Sequence, residues 1–326
     1  MPKVCHDSRG GWTQIGYAGA NKAPRRDLPL LWAFLFAFNG IISKIVLIDG
    51  LSAWRLTQIR TGGAFVILFL IYFTFRRSEL VPTRSELPWL IAFGAVGVTF
   101  VQAFYFVAIE RMYVGVALLI EFTAPIWILL FLRFVLKKHV PNSLWYAILL
   151  SFSGLLMITQ IWDGLALDQI GLIAAFIDAF ALAGYFLIGD RLGKTKSSAA
   201  IATWGFGVSS ALLFFVLPVW SFPTDVFGKD MELLGRFSEY TLPGWALILW
   251  IVVMGTIAPY LLVVSGLKIL SASTASVFGM IEPVMAGMFA WWWLSESLNG
   301  IQLVGCVVVI VGIFIADKAR SKAGGH

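Results

Sequence analysis

The sequence predicts an all-α integral membrane protein, ten transmembrane helices built as two inverted five-helix repeats. Three observations predict it. The chain of 326 residues is 59% hydrophobic and only 13% charged, with a mean hydropathy of +0.86, whereas about one quarter of a soluble domain is charged. Lys and Arg fall between the apolar runs in one alternating register. The two halves also match at a constant offset.

A membrane span needs roughly 20 mostly apolar residues. Ten runs qualify: 28–48, 54–75, 88–109, 112–136, 143–162, 169–189, 199–220, 244–267, 271–294 and 299–316. Most connections are very short, so neighbouring spans run antiparallel. The exception is 221–243, a loop of mixed charge with room for a short surface helix. The organisation that follows is a disordered cytoplasmic tail at 1–27, a first repeat at 28–162, a second at 169–317 and a cytoplasmic tail at 318–326. The N-terminal segment is polar and lacks the apolar core of a signal peptide.

Orientation follows from the basic residues, which favour the cytoplasmic side. With the N-terminus inside, 17 of the 24 Lys and Arg residues lie in cytoplasmic segments. Four, Arg55, Arg111, Lys229 and Arg236, lie outside, and three, Lys44, Arg60 and Arg133, lie within spans. One missed span would scramble this split. The expectation is a multi-pass protein of the cell (inner) membrane with both termini cytoplasmic, and a lipid bilayer as its surroundings. Topology also explains the net charge of +6, so nucleic acid is not expected as a partner.

An ungapped offset of 158 pairs Gly97 with Gly255, Ala117 with Ala275, Pro125 with Pro283, Leu136 with Leu294 and Gly154 with Gly312. Five spans is an odd number, so the second copy enters the membrane from the opposite side. Many secondary transporters are built this way, with the substrate site near the midplane where the repeats meet.

Three carboxylates fall near span centres: Glu121, Asp178 and Glu282. Each costs about 2.5–3.5 kcal/mol on insertion scales, so each must face protein or water rather than lipid. An acid that exchanges its proton while facing alternate sides can couple proton entry to substrate exit. The alternative is structural: an acid hydrogen-bonded to a neighbouring helix, or paired with Arg60 or Lys44. Pro125 and Pro283 withhold the N–H groups that the carbonyls of Glu121 and Gly279 would use, and Pro259 makes a third kink. Asn39, Gln102, Tyr105, Tyr185 and Tyr260 are the further polar positions for a cavity, with helix–helix hydrogen bonding as the alternative. Trp291, Trp292 and Trp293 read as an interfacial anchor.

No enzyme is indicated. The chain has no Walker-type phosphate loop, and His6, His139 and His326 all lie outside the spans, so neither a metal cluster nor a Ser–His pair can form within them. No cofactor is expected beyond a proton gradient as driving force, and the partners expected are a small-molecule substrate and, as an allowed option, a second copy of the chain.

The sequence also resembles a known family. Ala275, Glu282-Pro283, Leu294-Ser295-Glu296-Ser297-Leu298, Gln302 and Gly305 are similar to the motif of EamA-type transporters of the drug/metabolite transporter superfamily, over residues 28–317. The stretches Ala117 to Pro125, Ala258-Pro259-Tyr260 and Met280-Ile281-Glu282-Pro283 resemble its amino-acid-exporting branch, which includes the bacterial threonine/homoserine exporter. The resemblance implies export of amino acids or related small polar metabolites by alternating access, driven by proton entry. It departs from the family where Ser295-Glu296 replaces a Gly-Glu pair and Lys137-Lys138 its acidic counterpart. A drug or other metabolite permease and a non-transporting scaffold or receptor are the competing readings.

Overall fold

A computed structural model describes residues 27–111, 114–160, 168–295 and 299–323. The N-terminal tail and the last residues of the C-terminal tail lie outside these. In chain order the helices are α1 (Asp27–Ile48), α2 (Ala53–Phe75), the short α3 (Arg77–Leu80), α4 (Leu87–Ala92), α5 (Val101–Arg111), α6 (Val114–Glu121), α7 (Ala124–Leu130), α8 (Asn142–Thr159) and α9 (Gln169–Gly193). They continue with α10 (Ser198–Val216), α11 (Gly244–Val252), α12 (Ala258–Leu267), α13 (Ala272–Gly279), α14 (Glu282–Trp293) and α15 (Gly300–Ala323). Wider π-type turns join α4 to α5 (Phe93–Phe100) and α11 to α12 (Val253–Ile257), and extend α7 (Phe131–Val135).

Eight of the resulting helical segments are long and apolar enough to cross a membrane. The apolar part of α15 is shorter, Gly300–Ala316. The run at 271–294 is interrupted: α13 ends at Gly279 and α14 starts at Glu282, with Met280 and Ile281 in a turn. The fourth run is interrupted likewise, at Phe122 and Thr123. Each break is followed by a proline at the second residue of the next helix, where its missing N–H costs nothing.

Ser52, Ser197 and Ser271 cap α2, α10 and α13 by accepting the N–H three residues on. Around α9 pack α5, α6, α7 and the Phe93–Phe100 turn, and around α1 pack α11, α12 and α14. Helix α10 joins the first group through that turn, and α2 joins the second through α11. The two groups meet along α2–α10 and α12–α9.

Helices α8 and α15 pair with each other. A Cβ on Gly154 would come 2.7 Å from the Gly305 carbonyl and 2.8 Å from Val309, so only glycine permits this approach. Gly312 meets Ala147 and Ser151 in the same way. Residues 147, 151 and 154 each lie 158 before 305, 309 and 312. The two contacts therefore involve the same positions taken 158 residues apart, with the two helices exchanged.

The loop at 221–243 differs from the short surface helix expected of it. Three-residue and four-residue 3-10 turns lead to a two-stranded antiparallel hairpin, β1 (Asp230–Glu232) with β2 (Thr241–Pro243). Met231, the middle residue of β1, is fully buried, and Lys229 ties the hairpin to the residue after α1, Asp49, at 2.6 Å. Trp293 is likewise more than a lipid anchor: its indole donates to the Leu233 carbonyl at 2.7 Å, while Trp291 and Trp292 stay exposed.

Candidate functional site

The two helix breaks stand at corresponding positions, since 122 and 123 become 280 and 281 at the offset of 158. The carbonyls of Glu121 and Gly279 find no N–H four residues on, because residues 125 and 283 are prolines. The acids, however, take opposite ends. Glu121 is the last residue of α6, at its negative terminus, whereas Glu282 is the first of α14, at its positive terminus. The dipole therefore stabilises a charged Glu282 and opposes a charged Glu121 unless a cation or proton accompanies it.

The fold gathers the acids. Glu121 lies within electrostatic reach of both Glu282 and Asp178, and the Tyr105 hydroxyl senses all three. Asp178 is 1% exposed, and its Oδ1 has no partner. Glu121 and Glu282 retain accessible surface. Among the described residues neither of these two forms an ion pair.

Gln102 donates from Nε2 to the Tyr260 hydroxyl at 3.1 Å. Tyr260 makes edge contacts with Tyr185, Phe206 and Phe36, and Phe93 stacks on Tyr185. The buried Gln102 Oε1, Asn39 Oδ1 and Tyr185 hydroxyl have no partner. Asn39 reaches this centre over Gly255, whose missing side chain leaves space for the Asn39 amide.

Arg60 does not pair with an acid, as the sequence had suggested it would. Its Nε donates to Thr256 Oγ1 at 3.0 Å and its Nη2 to the Gly255 carbonyl at 3.1 Å. The reason is Pro259: in a regular helix the N–H of residue 259 would take the Gly255 carbonyl, and proline has none. The guanidinium substitutes for it, while its charge still acts on Glu282 and Tyr260. Thr256 was not singled out in the sequence, although its place between Gly255 and Pro259 marks it as part of the same kink.

The half-helices around this centre pack differently. On the side of the α9–α10 turn, α13 packs against α7, α9 and α12. The rings of Phe186 and Phe122 come to 3.9 and 4.0 Å from where a Cβ on Gly279 would lie. On the hairpin side the corresponding half-helix is α6, and among the described residues no comparable packing joins it to α14 or α1. Among the described residues no group of three His, Cys, Asp or Glu side chains is placed to hold a metal ion.

Multiple apolar helices around a polar centre with broken helices define a multi-pass membrane protein of the transporter class. Comparison with known proteins gives the family. The model of the EamA-like transporter family matches twice, over residues 28–160 and 169–316, and the chain belongs to that family. It is similar to the uncharacterized transporter YdfC of Bacillus subtilis (strain 168), 25% identical over 87% of this chain and 86% of that one. It is also similar to the uncharacterized inner membrane transporter YicL of Salmonella typhimurium, 22% identical over 90% and 95%. A protein solved by crystallography shares the fold, with a TM-score of 0.72 and 15% identity over 90% of this chain and 96% of that one.

Proposed function

We propose that the protein is a secondary transporter that exports amino acids or related small polar metabolites across the inner membrane in exchange for protons. In this reading ten spans form two inverted five-helix repeats, both termini are cytoplasmic, and the α9–α10 turn is on the cytoplasmic side. The observation that carries it is the pair Glu121 and Glu282, accessible and without ion-pair partners at two corresponding helix breaks.

Half-helix ends supply what a zwitterion requires. The carbonyls at the end of α6 and the Glu121 carboxylate suit an ammonium group or a proton. Opposite charge is offered by Arg60 and the N-terminus of α14. Gln102, Tyr105, Tyr260 and Asn39 offer hydrogen bonds between these poles, and Asp178 forms a second-rank acid behind Glu121. Proton and ammonium compete for the same carboxylates, so release of one accompanies arrival of the other. The swapped contacts of α8 and α15, and the double family match, support the repeat. The relatives YdfC and YicL, both named transporters, support the class.

The test is a reconstituted liposome assay with an imposed pH gradient and a panel of labelled amino acids. Flux that follows the gradient for at least one of them is expected. Absence of gradient-driven flux for the whole panel would remove this reading in favour of another cargo or a scaffold.

A further inference from the structure

The α9–α10 turn, the end of α2 with α3, and the end of α12 border an open, shallow cleft of about 470 Å³, away from the acidic centre. Arg76, Lys194, Lys196 and Lys268 line it with Glu79 and Ser197. Its walls belong to different helix groups: α2 and α12 to the one around α1, α9 and α10 to the one around α9 itself.

The cations are incompletely matched. Arg76 lies 3.0 Å from Glu79, Lys194 only within 3.7 Å of Asp190, and Lys196 3.2 Å from Glu86. Lys268 forms no ion pair among the described residues, and its charge meets Glu79 only at longer range. Partial desolvation lowers the pKa of Lys268, and Glu79 offsets this in part. Glu79 shows how an oxyanion is held here: it accepts from Arg76 on its own side, and the Ser197 hydroxyl across the cleft helps to hold its pKa down.

Glu79, Asp190 and Glu86 answer three of the four lining cations, so Lys268 carries the excess positive charge, and the hydroxyl of Ser197 stands where α10 begins. A phosphate group has enough oxygens to meet Lys268 and to bridge to the neighbouring basic side chains on the other walls. Arg84, another basic residue of this side, is exposed on a loop and lines no such cleft. We propose that the cleft binds a phosphate-bearing anion, which ties the ends of α2 and α12 to the α9–α10 turn. An anionic lipid headgroup and a free phosphate compound share this chemistry. That such an anion would hold this face closed during transport rests on the alternating-access reading above; binding itself does not.

The experiment measures melting of the full-length protein in phosphatidylcholine nanodiscs, with inorganic phosphate against chloride at equal ionic strength, and in nanodiscs containing phosphatidylglycerol. A rise of about 2 °C or more is expected in at least one arm. The phosphate arm identifies a soluble anion and the phosphatidylglycerol arm a lipid. Lys194→Ala combined with Lys268→Ala should abolish the rise, and Arg84→Ala combined with Lys318→Ala should keep it. If the first pair cannot be purified, Lys268→Gln alone should halve the rise or more. No rise in either arm, a rise that survives the cleft substitutions, or one equally lost in the Arg84 and Lys318 control overturns the proposal. Melting requires no transport, so failure of the liposome assay leaves this result interpretable.

Discussion

Gln102 and Tyr260, residues 158 apart and hence counterparts in the two halves, hydrogen-bond to each other at 3.1 Å. A position can touch its own counterpart only where the relation between the copies passes between them. In the inverted-repeat reading proposed above, the bond marks the centre about which the halves are arranged, and the polar cluster surrounds it. Its two members differ chemically, so an otherwise repeated position has become an unsymmetrical donor–acceptor pair.

Tyr260→Phe leaves the buried Gln102 amide without its acceptor, at a cost of about 1–3 kcal/mol. Gln102→Leu removes the other partner. The double variant should be less destabilised than the sum of the single ones, with a coupling of about 0.5–1.5 kcal/mol. Thermal unfolding of the four proteins in one detergent checks this, and additive losses would deny the bond any role.

Glu121→Gln and Glu282→Gln should each reduce pH-driven flux tenfold or more, with insertion and melting little changed, since the amide keeps size and polarity. Their accessible, unpaired carboxyls are the reason for expecting a loss of function without a loss of fold. Reconstituted flux, normalised to inserted protein, is the measurement. Unchanged flux in either variant would return that acid to a structural role.

Arg60→Leu removes the donors that serve the Gly255 carbonyl and Thr256 and should destabilise the protein by about 1–3 kcal/mol. Arg60→Lys should recover only part of this, because one ammonium cannot reproduce the two-pronged geometry. Replacing Pro259 by Ala restores the N–H that competes for Gly255, so Arg60→Leu should cost less in a Pro259→Ala background. Melting temperatures of the four proteins test that relation.

Glu86 gives a pH dependence with a defined sign. Burial alone would raise its pKa, but the Thr83 backbone N–H at 2.9 Å, the hydroxyls of Thr83 and Thr195, and Lys196 outweigh it and hold the group down to about 2. Its pKa in the fold lies below that in the unfolded chain. Its contribution is therefore present above the ordinary glutamate range and is lost as pH falls toward about 2. The drop in melting temperature between these limits should be smaller in Glu86→Gln, and an equal drop would assign the acid sensitivity elsewhere.

Much of the architecture was legible because a bilayer is a one-dimensional constraint. Runs such as 169–189 and 244–267 declare themselves by length and apolarity, and α9 and α11–α12 follow them closely. The breaks were legible through Pro125 and Pro283, since a proline withholds its N–H wherever it stands. The hairpin at 230–243 was not, because its stability comes from the buried Met231 of β1 and Lys229 reaching Asp49. Arg60 was misassigned for a related reason: an arginine among acids suggests an ion pair, and only the position of α2 beside the Pro259 kink reveals the free carbonyl it serves.

By itself the sequence determined the membrane class and the family, because hydropathy and motif spacing are properties of the chain read along its length. The tertiary structure decided which polar residues meet. Rotation and tilt set by side-chain packing turned Glu121, Asp178 and Glu282 toward one centre and joined Gln102 to Tyr260. Hydropathy says how deep a residue lies in the bilayer, and only packing says which neighbour it faces.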